Sequence, residues 1–131
     1  MSDHVQTVLG IYEAFGRGDL DAILDRIAPQ VRWEHWEDNR AQSGGVPYLQ
    51  PREGHDGVRA FFAEVAKVGV DDLQVLDALS SERQVVLQVR IATPRFADEE
   101  LHLWTFGDDG TVVAMRHYVD TAKHIEANRE A

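Results

Sequence analysis

Six histidines and no cysteine occur in this chain of 131 residues. Imidazole ordinarily changes charge near neutral pH, so it can act as general base, general acid or metal ligand. Without cysteine there are no disulfides, thiolate metal sites or thiol nucleophiles. The stretch VRWEHWEDN, residues 31–39, sets two of the three tryptophans around one histidine, His35. An aromatic cage for a small molecule and an ordinary core strand would both produce that pattern.

Read as a strand, VRWEHWE places Val31, Trp33 and His35 on one face and Arg32, Glu34 and Trp36 on the other. Further along, His102, Trp104 and Phe106 share a face, and TVVAMRHYV follows across Gly-Asp-Asp-Gly, a hairpin signal. Two turns fit. With Asp108 and Asp109 as a two-residue turn, Trp104 pairs with Val113 and His102 with Met115. His117 is then diagonal to His102, roughly 7 Å away. A three-residue turn with Gly110 in a bulge puts Arg116 and Tyr118 there instead. The more apolar set, Val113, Met115 and Val119, favours the first.

The expected pocket face carries Trp33, His35, His102, Trp104, Met115 and His117. His35 is read as the base, with His102 or His117 donating a proton or holding an oxyanion. Trp33, Trp104 and Met115 would contact the ligand, joined by Tyr12 on the first helix and Tyr48 in a long loop. The plain alternative for each histidine is a core residue bonded to its neighbours. Three histidines could hold zinc with one open position. There is no H-x-H pair and no H-x-x-x-H helical spacing, so no metal is expected, and no organic cofactor is required. Glu34 and Glu37 are placed off the pocket, and Asp98, Glu99 and Glu100 read as a solvated strand end. Asp38 and His55 are minor candidates at the mouth. The serines fall in termini or turns, which gives a Ser/His/Asp triad no support, and no glycine loop for phosphate follows a strand.

The elements that must position these residues follow from periodicity. Val5, Val8, Leu9, Tyr12 and Phe15 recur at helical spacing, ending near Gly16 and Gly18. Asp19 caps a second helix with Leu20, Ile23, Leu24 and Ile27 in one stripe, stopped by Pro29. Residues 38–54 form a loop of the kind that covers a pocket. A third helix, with Asp56 as N-cap, carries Val58, Phe61, Phe62 and Val65 and precedes Gly69. Four strands follow, then a tail from Asp120 that can add a short helix. Helices at one end and strands at the other mean an α+β fold: a curved antiparallel sheet wrapped around three N-terminal helices, a cone with an internal pocket. Residues 1–131 suit a single domain.

IYEAFGRGDLDAILDRIAPQVRWE, GHDGVRAFFAEV and DDGTVVAMRHYVDTAKHI carry a resemblance over nearly the whole chain. It resembles the SnoaL-like branch, with the ketosteroid isomerases, of the nuclear-transport-factor-2-like superfamily. The resemblance implies a cystatin-like α+β cone around a deep apolar pocket. In ketosteroid isomerases a first-strand carboxylate removes a proton, while a tyrosine and a protonated acid hold the enolate oxygen. Those three positions fall here on His35, Ile11 (beside Tyr12) and His102. None keeps the family's residue, so isomerisation by that mechanism is not expected. The expectation is acid–base chemistry of isomerase, cyclase, dehydratase or hydrolase type on a small hydrophobic molecule. The alternative is a non-catalytic binding or scaffold domain.

Acids outnumber bases 23 to 13, a net charge of −10, which argues against nucleic acid and anionic membranes. No stretch approaches a membrane span, and MSDHVQTV lacks a signal pattern, so a cytoplasmic location is expected. The outer sheet face would show Val86, Leu101, Leu103 and Tyr118 among Gln88, Arg90, Thr105 and Arg116. That patch is apolar enough to predict a homodimer, unless the tail helix covers it.

Overall fold

In the computed structural model, residues 3–129 are described. Helix α1 (Asp3–Gly16) buries Val5, Val8, Ile11 and Ala14, while Leu9, Tyr12 and Phe15 pack partly buried against the core. Gly18, at φ 69°, turns the chain, and Asp19 caps α2 (Leu20–Leu24) by accepting from the Ala22 N–H. This helix is shorter than its apolar stripe suggests. Ile27 to Pro29 open strand β1 (Ile27–Trp33) instead of finishing the helix. A proline at this early strand position removes no essential ladder donor.

The segment after β1 is not a plain loop. It holds α3 (Arg40–Ser43), capped by Asn39, a 3₁₀ turn at Pro47–Leu49 and the two-residue strand β2 (Arg52–Glu53). Helix α4 (Gly54–Val68) starts before Asp56, which lies in its first turn and is not its N-cap. Its C-cap is Gly69 in the left-handed region, φ 77°. The long strands β3 (Asp72–Ser80), β4 (Gln84–Ala92), β5 (Ala97–Phe106) and β6 (Val112–Tyr118) follow, then α5 (Thr121–Arg129).

The six strands form one sheet in the order β2-β1-β6-β5-β4-β3. The β3–β4, β4–β5, β5–β6 and β1–β2 pairs are antiparallel, and β1 joins β6 in parallel. Alternation then decides what faces the helices. Val85, Leu87 and Val89 of β4 and Asp98, Glu100, His102, Trp104 and Phe106 of β5 are buried, while the residues alternating with them face outward. Bulges in β3 and β6 bend the sheet around this face.

The hairpin connection is longer than either turn considered from sequence. Gly107 N–H bonds the Thr111 carbonyl, Gly110 adopts φ 82°, and one residue is bulged out beyond Thr105. Trp104 therefore pairs with Met115 and His102 directly with His117, in place of the diagonal. The faces are unchanged, but the two imidazoles are brought into contact, with ring centroids 4.4 Å apart.

Candidate active site

A cavity lies between α1, α4 and the inner sheet face, extending to α5. The cavity together with its mouth encloses about 740 Å³. The walls are mostly aromatic and aliphatic, which suits a flat or hydrophobic molecule. Phe15, Trp33, Phe61, Phe62 and Trp104 make most of the aromatic wall, and no lysine or arginine lines it.

Of the residues expected there, Tyr12, Trp33, Tyr48, His102, Trp104, Met115 and His117 all line the cavity. His35 does not, which corrects the expectation. Strand β1 ends at Trp33, and Glu34 takes φ 59°, a left-handed conformation that costs a non-glycine residue roughly 1–2 kcal/mol. That twist breaks the alternation. Glu34 turns inward, only 1% exposed, and His35 turns out. His35 accepts from Arg32 Nε at 3.0 Å, donates to the Arg52 carbonyl at 3.0 Å and lines a separate depression with Arg116. His55 bonds the Ile27 carbonyl, and neither it nor the exposed Asp38 reaches the cavity. Trp33 contributes its ring only: its indole N–H is buried without a hydrogen-bond partner.

Three imidazoles do meet two indoles, but the third imidazole is His124 of α5, not His35. His117 donates from Nδ1 to Glu34 Oε1 at 2.7 Å, and its backbone N–H bonds the same oxygen. Trp36 Nε1 holds the other Glu34 oxygen at 3.0 Å. These bonds hold the strained Glu34 backbone in place and fix the His117 ring. A carboxylate can only accept, so neutral His117 carries its proton on Nδ1 and leaves the Nε2 lone pair open. No hydrogen bond among the described residues engages that Nε2, and it is not among the sealed polar atoms.

His102 is saturated. Its Nε2 meets Glu100 Oε1 at 2.9 Å and its Nδ1 the Tyr12 hydroxyl at 2.5 Å. Glu100 accepts, so Nε2 carries the proton and Tyr12 O–H donates to Nδ1, while Trp104 Nε1 donates to the Tyr12 oxygen at 3.3 Å. Burial, with His117 alongside, pushes the His102 imidazole below its ordinary range, although Glu100 opposes this. Burial likewise drives the Tyr12 hydroxyl far up.

The other oxygen of Glu100 lies 3.0 Å from His124 Nε2, which also meets Asp98 Oδ2 at 2.8 Å. Burial pushes Glu100 up, but the hydrogen bonds from His102 and His124 outweigh it and hold the carboxyl well below its ordinary range. Burial pulls His124 down, and its bonds and charge pairing with Glu100 and Asp98 win, raising it. His124 Nδ1 lies 2.6 Å from the Tyr48 hydroxyl, and Asn128 Nδ2 donates to the same oxygen at 3.2 Å. Asp98, Glu100 and His124 offer ligand atoms within 4.8 Å of one another, a spacing that could suit a metal. Here the imidazole N–H already bridges the two carboxylates.

Glu34, Asp98, Glu100 and His124 are thus the site residues that the strand reading misses. Glu100 and Asp98 share parity with His102 and Trp104, a signal present in the sequence. The inward turn of Glu34 and the docking of α5 have no local sequence signal.

A SnoaL-like domain model matches residues 8–122. An NTF2-like protein of unknown function from Burkholderia pseudomallei is 30% identical, covering 98% of this chain and 99% of its own, with a TM-score of 0.76. TerC, co-crystallized with polyporic acid, is 24% identical over 95% of this chain and 99% of its own, TM-score 0.73. A steroid delta-isomerase from Pseudomonas aeruginosa is 17% identical over 97% and 86%, TM-score 0.72. No curated protein matches the chain.

Proposed function

The chain belongs to the SnoaL-like domain family, and from that premise we propose that it binds a small, flat, hydrophobic molecule and performs acid–base chemistry on it. His117 is the base and Glu34 the residue that positions it. The observation that carries this reading is the open Nε2 of His117 in a cavity whose other histidines are saturated by hydrogen bonds. A carboxylate on Nδ1 sets the tautomer and favours the imidazolium formed when Nε2 takes a proton. The apolar walls exclude water from that step. No step in this scheme calls for an organic cofactor.

A generic carbon acid tests it. Exchange of the α-protons of 2-tetralone for deuterium, followed by proton NMR, reads base catalysis directly. The wild-type protein accelerates exchange beyond free imidazole at equal concentration, and His117→Leu abolishes the excess. Equal rates for the two proteins would leave a binding domain without chemistry.

We also propose a homodimer through the outer sheet face. Leu101 and Tyr118 are 45% and 42% exposed there. The tail helix leaves them uncovered: α5 packs against α3, and its His124 reaches the inner face. Among the described residues no helix is long and apolar enough to cross a membrane, and the net charge of −10 supports neither a nucleic-acid nor an anionic-membrane partner. A cytoplasmic location fits this reading.

A further inference from the structure

Tyr48 receives more hydrogen bonds than its own proton can answer. Asn128 Nδ2 donates to its oxygen, and His124 Nδ1 lies 2.6 Å away. Whether His124 donates or accepts there depends on its charge, and the surroundings decide it. Asp98 and Glu100 are both buried, at 6% and 5% exposure, and both contact His124 Nε2. Two buried carboxylates that share one imidazole nitrogen require compensating positive charge there, whereas Glu34 is satisfied also by the His117 backbone N–H and by Trp36 Nε1. Lys123 reaches only Asp98, at 3.4 Å, so His124 supplies the cation that Glu100 needs. As an imidazolium it donates from both nitrogens. The Tyr48 oxygen then accepts twice, and its O–H has no acceptor among the described residues. The side chain lines the cavity, so that proton is offered to whatever occupies it.

The cavity therefore has two polar ends with opposite roles. His117 presents an open acceptor, and Tyr48 presents an open donor. Between them runs the hydrogen-bonded chain His102, Glu100 and His124, with His102 and Glu100 on the same face of β5. The two ends therefore meet different parts of a ligand.

We propose that the cavity recognises a flat, uncharged, conjugated molecule by both ends: a hydroxyl that gives its proton to His117 Nε2, and a carbonyl across the ring that accepts from Tyr48. The inference rests on the reading of His117 as base and adds the class of ligand. The absence of lysine and arginine from the walls disfavours a carboxylate ligand, and the aromatic side chains that line them favour stacking of a planar one. Conjugation couples the ends. The hydroxyl O–H bond breaks with its electron pair left on the ligand, the proton joins Nε2, and the charge spreads to the carbonyl oxygen. Tyr48 hydrogen-bonds that oxygen and keeps its own proton, since burial and the charges of Glu100 and Asp98 push its hydroxyl up to about 12. Helix α5, through His124 and Asn128, becomes part of the recognition site.

Three probes separate the ends: 6-hydroxy-1-tetralone (both groups), 1-tetralone (carbonyl only) and 5,6,7,8-tetrahydro-2-naphthol (hydroxyl only). Titrations followed by NMR give affinities for the wild-type protein, Tyr48→Phe and His117→Leu. The two-ended probe binds the wild type about tenfold tighter than either single-ended one, the effect of about 1.4 kcal/mol for one further hydrogen bond. Its bound form shows the red-shifted absorption of its phenolate. Tyr48→Phe removes the advantage over the naphthol, and His117→Leu removes the advantage over 1-tetralone. Equal affinities of the three probes for the wild type overturn the inference, as does a two-ended advantage that survives Tyr48→Phe. The outcome is independent of 2-tetralone exchange. Two-ended binding without exchange removes the catalytic reading and keeps the recognition, and exchange with equal affinities does the reverse.

Discussion

His117, half-buried, and His124, buried, are imidazoles in the same cavity, and each is held by carboxylates. They differ in what is left over. His117 spends one nitrogen on Glu34 and keeps the other open. His124 spends Nε2 on Asp98 and Glu100 and Nδ1 on Tyr48, and nothing remains. The first arrangement suits proton transfer with a ligand. The second fastens α5 to the sheet and fixes charge at one end of the cavity. A histidine–carboxylate contact is therefore not by itself a sign of catalysis; the free valence of the ring is.

Removing each ring should separate the two roles. His124→Leu leaves Asp98 and Glu100 buried without their shared cation, and breaking a buried pair on one side costs about 3–5 kcal/mol. Urea unfolding should show that loss. His117→Leu keeps Glu34 bonded to the His117-position backbone N–H and to Trp36, so it should cost less stability while abolishing 2-tetralone exchange. A larger stability loss from His117→Leu than from His124→Leu breaks the contrast.

Glu34→Gln sharpens it next. An amide can donate as well as accept, so it no longer enforces the Nδ1–H tautomer. Exchange should fall by about 100-fold, below the roughly 10⁴-fold loss when the orienting carboxylate of a serine-protease triad is removed, with KM for 2-tetralone little changed. A KM effect alone would make Glu34 a packing residue.

The pH profile of stability gives a third comparison. His124 is raised from 6.5, so its contribution is complete below that value and is lost as pH rises through the higher folded value. Glu100 is lowered from 4.5, so its contribution is present above that value and is lost as pH falls toward the folded one. His102 is lowered from 6.5, which also removes stability on acidification below that value. Denaturant midpoints across pH should therefore fall on both sides, and His124→Leu should flatten the alkaline limb. An alkaline limb unchanged in that variant removes His124 as its source.

How much of this was legible varies with how local its causes are. Strand parity placed Trp33, His102, Trp104, Met115 and His117 on one inner face because two-residue alternation needs nothing beyond the strand itself. The same parity held Asp98 and Glu100, but three consecutive acids, Asp98 to Glu100, look like solvent-facing charge until α5 is docked over them. His35 failed because one residue, Glu34, leaves the β region, and a glutamate carries no glycine-like warning of that. The 4.4 Å approach of His102 to His117 came from a bulge, which shifts register without altering composition.

The smallest effect on the cavity should come from its opposite side. Leu101→Glu or Tyr118→Glu on the outer face should shift the proposed dimer toward monomer in analytical ultracentrifugation. Exchange at His117 should change by less than about twofold, because neither side chain faces the cavity. A sedimentation profile identical to the wild type contradicts the outer-face interface.

Nitrogen-15 NMR of the histidine rings tests the open valence of His117 most directly. The account predicts that neutral His117 shows a protonated Nδ1 and an unprotonated Nε2, and that 6-hydroxy-1-tetralone shifts that Nε2 while both His124 nitrogens stay protonated. A His117 ring protonated on Nε2 with a bare Nδ1, or one indifferent to the probe while His124 responds, contradicts it.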